Sequence, residues 1–245
     1  MIALLMLAFC APVGTNAGEW GHLTGRFVYG GTPPTLAPLP TAGLDRRTCG
    51  DAVPNESLVI DPKARGLANI VIYLRTEGMP VHSSYGPAAN GTVVLTHRSC
   101  RLVPHITLLR TTQTLRTTNN DPIPHNTNMS PPLEYSICPI LPPADSLRRF
   151  QKRQAAPFEV MCNIHPWEKG YVLVRDNPYM AITATDGTFW IKNLPVGTLE
   201  FQFWHERTGH LVAKPNWTKG RLTQAIAGGK TVDLGIIQLA PLLFD

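Results

Sequence analysis

Residues 158–168 read Phe-Glu-Val-Met-Cys-Asn-Ile-His-Pro-Trp-Glu. The first half alternates: Phe158, Val160 and Cys162 share one face of an expected strand over 158–162, and Glu159 and Met161 take the other. The strand ends in a turn that carries Cys162, His165 and Glu168 at steps of three. A thiolate and an imidazole at that step can reach one metal ion. Upstream, a strand-like run over 114–118 leads through the turn Asn119-Asn120-Asp121-Pro122 to Ile123-Pro124-His125-Asn126. Two imidazoles and one thiolate form the trigonal donor set of a mononuclear copper centre, which is completed by a weak axial sulfur. In this turn the fourth place holds Glu168 instead.

Outward from this segment the chain reads as strands and turns. The run 69–74 (NIVIYL) is continuously apolar and suits a strand buried on both faces. Short strands are expected at 93–95, 106–109 and 171–174. In the last third, 188–191 (TFWI), 199–204 (LEFQFW) and 231–239 (TVDLGIIQL) alternate and are separated by turns such as Thr185-Asp186-Gly187. Near the start, 21–29 is another strand. With 23 prolines and 20 glycines in 245 residues, these patterns predict an all-β fold rich in turns. Residues 76–92 and 127–147 are expected as long loops.

Residues 1–17 resemble a signal peptide, with an apolar stretch over 2–9 and Thr15-Asn16-Ala17 as a small-residue cleavage site. Phe9 is too bulky for Cys10 to carry a lipid. No later segment is apolar enough, for long enough, to span a membrane. The mature chain is therefore expected in the periplasm, secreted or at the cell surface. Its net charge of +5 is scattered. The tightest basic cluster, over 148–153 (RRFQKR), reads as a solvated loop or as a docking patch for an acidic partner. No nucleic-acid motif is present. An oxidising compartment permits disulfides. Of the four cysteines left after cleavage, Cys49 with Cys100 is the preferred pair. With Cys162 on a metal, Cys138 is free or paired between molecules.

Two resemblances follow. Residues 92–175 resemble a cupredoxin: His125-Asn126 is similar to the first ligand loop of plastocyanin-type proteins, and Cys162-x-x-His165-Pro166-Trp167 to the short ligand loop of amicyanin. The flanks resemble a transthyretin-like, carboxypeptidase-regulatory sandwich through Gly21-x-x-x-Gly25-x-Phe27, Thr185-Asp186-Gly187-x-Phe189-x-Ile191-x-Asn193-Leu194-Pro195-x-Gly197 and Gly229-x-Thr231-x-Asp233-Leu234-Gly235. Together they resemble exported methylamine-utilisation or plastocyanin-like proteins of planctomycete type. The implied architecture is a cupredoxin-like Greek-key sandwich over 88–175, inserted into or adjoining a discontinuous sandwich over 18–80 and 176–245.

The resemblance implies one copper ion held by His125, Cys162 and His165, with Glu168 in the place of an axial methionine. Glu168 either ligates as a hard anionic donor, or turns to solvent, or marks a site that is retuned for another metal or decayed. Asn126 is expected to tie the two ligand loops together through a side-chain-to-backbone hydrogen bond, and Trp167 to shield the His165 ring or simply to pack. Met161 lies on the wrong strand face to replace the axial sulfur; Met129, in an expected loop, stays open, and Met180 reads as core. His105 reads as structural. His205 and Glu206 read as one inward and one outward residue without chemistry. His22, His82, His97 and His210 have no evident partner. No nucleophile or metalloprotease motif and no carboxylate pair suggests catalysis, so the chain is not expected to be an enzyme.

The expected role is one-electron transfer with a periplasmic or cell-surface redox protein such as a c-type cytochrome. The alternatives are a copper carrier or storage protein without redox turnover, and a cell-surface sandwich that binds carbohydrate or protein around a structural metal.

Overall fold

The structure, a computed structural model, describes residues 20–141 and 145–244, in which short strands joined by turns and irregular connections predominate. The expected leader over 1–17, with Cys10, lies outside these residues. Among them no helix is long and apolar enough to cross a membrane. The fold is all-β.

One sandwich is built from the two ends of the chain. Trp20–Tyr29 lies between Thr188–Pro195, antiparallel, and Thr231–Leu239, parallel. Facing it is a sheet in which Gly197–His205 pairs with Val71–Leu74 and Arg221–Ile226, and Met180–Ile182 flanks Val71–Leu74. The alternation noted in the sequence sets the inward faces, so Leu23, Phe27, Phe189, Ile191, Phe201 and Phe203 meet in one core. The turn before Thr188–Pro195 needs Gly187: its φ is +84°, and a Cβ there would stand 2.0 Å from the Phe27 carbonyl oxygen.

The second sandwich occupies the chain between two adjacent strands of the first. The polypeptide leaves at Val71–Leu74 and returns at Met180–Ile182, which pairs antiparallel with it. In between, one sheet orders Asn128–Met129, Phe158–Met161, Lys169–Arg175 and Ile106–Arg110, and the other Ser146–Arg149, Thr114–Asn119, Thr92–His97 and Leu102–Val103. Leu95, Leu115, Met129, Phe150, Val160 and Val172 fill the space between them.

The strand Val71–Leu74 is buried on both faces, and this explains the apolar run that the sequence shows there. Ile70, Ile72 and Leu74 point into the first core. Val71 and Tyr73 point the other way and meet Ile106, Leu173 and Trp204 in a seam between the sandwiches. Each such side chain removed from water contributes about 1.5–3 kcal/mol, so the sandwiches pack as neighbours and not as beads on a string. Arg175 crosses the seam, donating to the carbonyls of Gln154 (2.9 Å) and Leu74 (3.1 Å).

Two expectations are corrected. Residues 127–147 are not one long loop: Asn128–Met129, Ile140–Leu141 and the start of Ser146–Arg149 fall there, each paired to a distant strand. The basic cluster over 148–153 is solvated only in part, since Arg149, Gln151 and Lys152 are exposed and the other two basic residues are engaged. Arg148 is buried over the Phe150 ring and donates to the Tyr135 carbonyl, and Arg153 pairs with Glu77 and Asp176.

A hairpin from the first half of the chain reaches over the second sandwich. Leu39–Pro40 pairs with Ala52–Val53, and its tip carries the short helix Arg46–Cys49. A disulfide joins Cys49 to Cys100, with Cα atoms 5.5 Å apart. Cys138 and Cys162 are free thiols, the first exposed and the second buried.

Candidate metal centre

Local hydrogen bonds shape the turn after Phe158–Met161. The Cys162 N–H donates to the Glu168 carbonyl (3.1 Å), and the Glu168 N–H to the His165 carbonyl (2.9 Å). These bonds close 162–168 into a loop whose three functional side chains point the same way. His125 arrives from the short strand His125–Asn126, held by Ile140–Leu141. Asn126 locks the two segments together in both directions. Its Oδ1 accepts from the Asn163 N–H (2.7 Å), and its own N–H points at Cys162 Sγ (3.4 Å).

The result is a buried cluster. His125, Cys162, His165 and Glu168 each offer one donor atom, all within 4.8 Å of one another. His125 Nδ1 lies 3.0 Å from His165 Nδ1, and His165 Nδ1 lies 3.6 Å from Cys162 Sγ. None of the four is more than 1% exposed. Glu168 therefore does not turn to solvent, one of the options the sequence left open. Its Oε2 lies 2.8 Å from His125 Nδ1, and its Oε1 lies 2.9 Å from His97 Nδ1.

Charge explains why these groups tolerate burial together. Burial alone would lower the His125 imidazole, but its contacts with Cys162 and Glu168 outweigh that and lift it to about 9. Burial alone would raise Glu168, but hydrogen bonds from His125 and His97 outweigh it and hold the carboxyl down at about 2. At neutral pH the metal-free cluster thus holds an imidazolium at His125 beside a carboxylate. Two Nδ1 atoms 3.0 Å apart repel unless a proton or a cation lies between them. A soft thiolate, two imidazole nitrogens and a carboxylate converging on one such point fit a transition-metal ion.

His97 is the site residue that sequence reasoning missed. It is fully buried, its Nε2 lies 2.7 Å from Thr127 Oγ1, and its ring stacks on His125 at 4.7 Å. One signal could have found it: in Thr92–His97, Leu95 and His97 share the inward face. Trp167 lies against the His165 ring, with centroids 5.1 Å apart. Met129, the open candidate for axial sulfur, is a core residue opposite Val160. Outside the cluster, His105 Nε2 lies 2.5 Å from Glu206 Oε1. Both line a cavity of about 70 Å³ beneath the hairpin, shared with Trp167 and Glu168. The outer nitrogens of the two site imidazoles also meet carboxylates. His165 Nε2 lies 3.1 Å from Asp45 Oδ2, and His125 Nε2 lies 3.3 Å from Asp121 Oδ2 without the alignment of a hydrogen bond.

No protein-family model matches the chain, and no curated protein matches it. Among solved structures it is similar to a reduced amicyanin mutant, at 18% identity and a TM-score of 0.31, over 42% of this chain and 98% of that one. An oxidised amicyanin mutant gives 19% identity and 0.31 over the same shares. A copper-containing nitrite reductase from Thermus scotoductus gives 17% identity and 0.29, over 34% of this chain. The chain spans only 22% of that reductase.

Proposed function

We propose that the chain is an exported mononuclear copper-binding protein of cupredoxin type, built into a transthyretin-like frame, and that it carries single electrons without being an enzyme. The observation that carries this reading is the convergence of Cys162 Sγ and the Nδ1 atoms of His125 and His165 on one buried point. His125, Cys162 and His165 would hold the ion, with Glu168 as the fourth donor. Bound copper would supply a one-electron couple. The chain's part is to hold the donors still. Asn126 fixes one ligand segment to the other, the bonds across 162–168 fix the loop, and Trp167 and the hairpin keep water from His165. A rigid, dry donor set changes little between oxidation states, which keeps reorganisation small. The partner is a periplasmic or cell-surface redox protein such as a c-type cytochrome.

The test is to add Cu(II) to the mature chain and record visible absorption and electron paramagnetic resonance. An intense sulfur-to-copper charge-transfer band, abolished in Cys162→Ser, is expected. Absence of the band, with Zn(II) bound instead, would sink the electron-transfer reading. A second reading, a copper carrier without redox turnover, is favoured by one observation: the fourth donor is an ionised, buried carboxylate. A hard anionic donor favours Cu(II) over Cu(I). Glu168→Met is therefore expected to raise the reduction potential, measured by voltammetry. An unchanged potential would mean that Glu168 does not touch the metal.

A further inference from the structure

The carboxylates behind the two imidazoles come from distant places in the sequence, and one covalent bond joins them. Asp45 immediately precedes the helix Arg46–Cys49 at the hairpin tip. Cys49 is bonded to Cys100. At that second cysteine the N–H groups of Ser99 (2.7 Å) and Cys100 (2.8 Å) both donate to the Asp121 carboxylate. A single disulfide thus ties the turn that presents Asp45 to the turn that fixes Asp121.

We propose that the Cys49–Cys100 disulfide anchors a two-carboxylate clamp, in which Asp45 and Asp121 are positioning residues for His165 and His125. A neutral imidazole carries one N–H. A carboxylate at Nε2 keeps that proton there and leaves the Nδ1 lone pair for a metal. Both rings present Nδ1 to the common point and Nε2 to an aspartate. The two halves are unequal, since Asp45 makes a hydrogen bond with His165 and Asp121 only approaches His125. The Asp45 half depends on how the hairpin is seated. Leu39–Pro40 and Ala52–Val53 carry it out from the first sandwich, Glu56 and Arg101 meet at 3.3 Å beside it, and Gly50 N–H closes the helix onto the Arg46 carbonyl. The ligand His165, 1% exposed, is thereby covered by a segment from outside its own sandwich.

The clamp rests on the metal-site reading above, so its test has one readout that needs no metal. In the metal-free mature chain, proton NMR of the imidazole N–H groups should show a slowly exchanging His165 Nε2–H signal. In Asp45→Ala that signal is lost. Reduction of the disulfide with dithiothreitol removes it too. In parallel, competition with a chelator for Zn(II), a redox-inert probe, should show affinity falling by about 10-fold or more in Asp45→Ala, with Asp45→Asn keeping the N–H signal and losing less. Failure of the wild-type chain to bind any metal defeats the site reading and leaves the NMR readout to decide the clamp. The clamp is overturned if Asp45→Ala keeps the His165 signal, or if affinity falls while the signal stays. It is also overturned if reducing the disulfide changes neither readout in a chain whose circular dichroism is unaltered. Should the reduced chain unfold, Asp45→Ala, a change at a partly exposed side chain, decides alone.

Discussion

The sandwich made from the two ends of the chain buries Leu23, Phe27, Ile72, Phe201, Phe203 and their neighbours, and its buried polar groups are few. Gln202 donates to the Lys219 and Gly220 carbonyls, and Thr183 Oγ1 accepts from the Ile70 N–H. The inserted sandwich has its own apolar core but also buries His97, His125, Thr127, His165 and Glu168 in one cluster. Burying a polar group without a partner costs several kcal/mol, and these groups are partnered almost wholly by one another. In the first sandwich polar burial serves the backbone. In the second a whole cluster of it serves a single point in space, next to a thiol. The apolar cores carry the fold, and the polar cluster is an addition to one of them. On the proposed reading, loss of a metal from that cluster should leave the first sandwich unchanged.

The largest expected effect tests that separation from the fold side. Phe203 stacks on Trp217 with centroids 4.2 Å apart and touches Phe27 and Phe189. Phe203→Ala should lower stability by about 3–5 kcal/mol, read from urea unfolding. Metal affinity of the folded fraction should stay as in the wild type. A matching loss of affinity would show that the two cores are not separable.

Acid should separate them further. His205 is fully buried in the first sandwich, against Phe244. Its burial, with the Arg207 and His105 charges nearby, pushes the imidazole down to about 4. A base whose folded value lies below its unfolded value binds fewer protons when folded. Its stabilising contribution is whole above about 6.5 and is lost as pH falls toward about 4, amounting to about 3 kcal/mol. His105, held above its ordinary value by Glu206 despite burial, has the opposite sign: its contribution is whole below about 6.5 and is lost as pH rises through the folded value. Stability, measured by unfolding between pH 7 and pH 4, should fall in the wild type and fall less in His205→Gln. Equal slopes in the two chains would remove His205 as the acid-sensitive element.

What the sequence made legible follows the range of the interactions. The ligand turn could be read because Cys162, His165 and Glu168 lie within one loop, and the strand before it because Phe158 and Val160 alternate with exposed residues. The run 69–74 could be read as doubly buried because no polar residue interrupts 70–74. His97 could not be matched to Glu168, since that contact joins residues 71 positions apart across two sheets. Asp45 lies 120 positions from His165, and only the folded hairpin brings it there. The strands within 127–147 escaped for the same reason. Their proline- and asparagine-rich composition has low strand propensity, and pairing with Phe158–Met161 and Thr114–Asn119 overrides it.

The smallest expected effect lies at the seam, where the contrast between the sandwiches is either transmitted or absorbed. Tyr73 stands in the first sandwich but donates its hydroxyl to the Ala155 carbonyl of the second at 2.7 Å. Burial pushes the phenol up to about 12, so it is a donor at neutral pH. Tyr73→Phe keeps the ring among Val71, Ile106, Leu173 and Trp204 and removes only that bond, at a cost of about 0.5–1.5 kcal/mol. If the seam couples the sandwiches, the loss shifts one cooperative transition, and tryptophan fluorescence and far-ultraviolet circular dichroism remain coincident. If the transition splits, the apolar seam contacts alone do not bind the two cores into one folding unit, and the inserted sandwich would then gain stability from metal without passing it on.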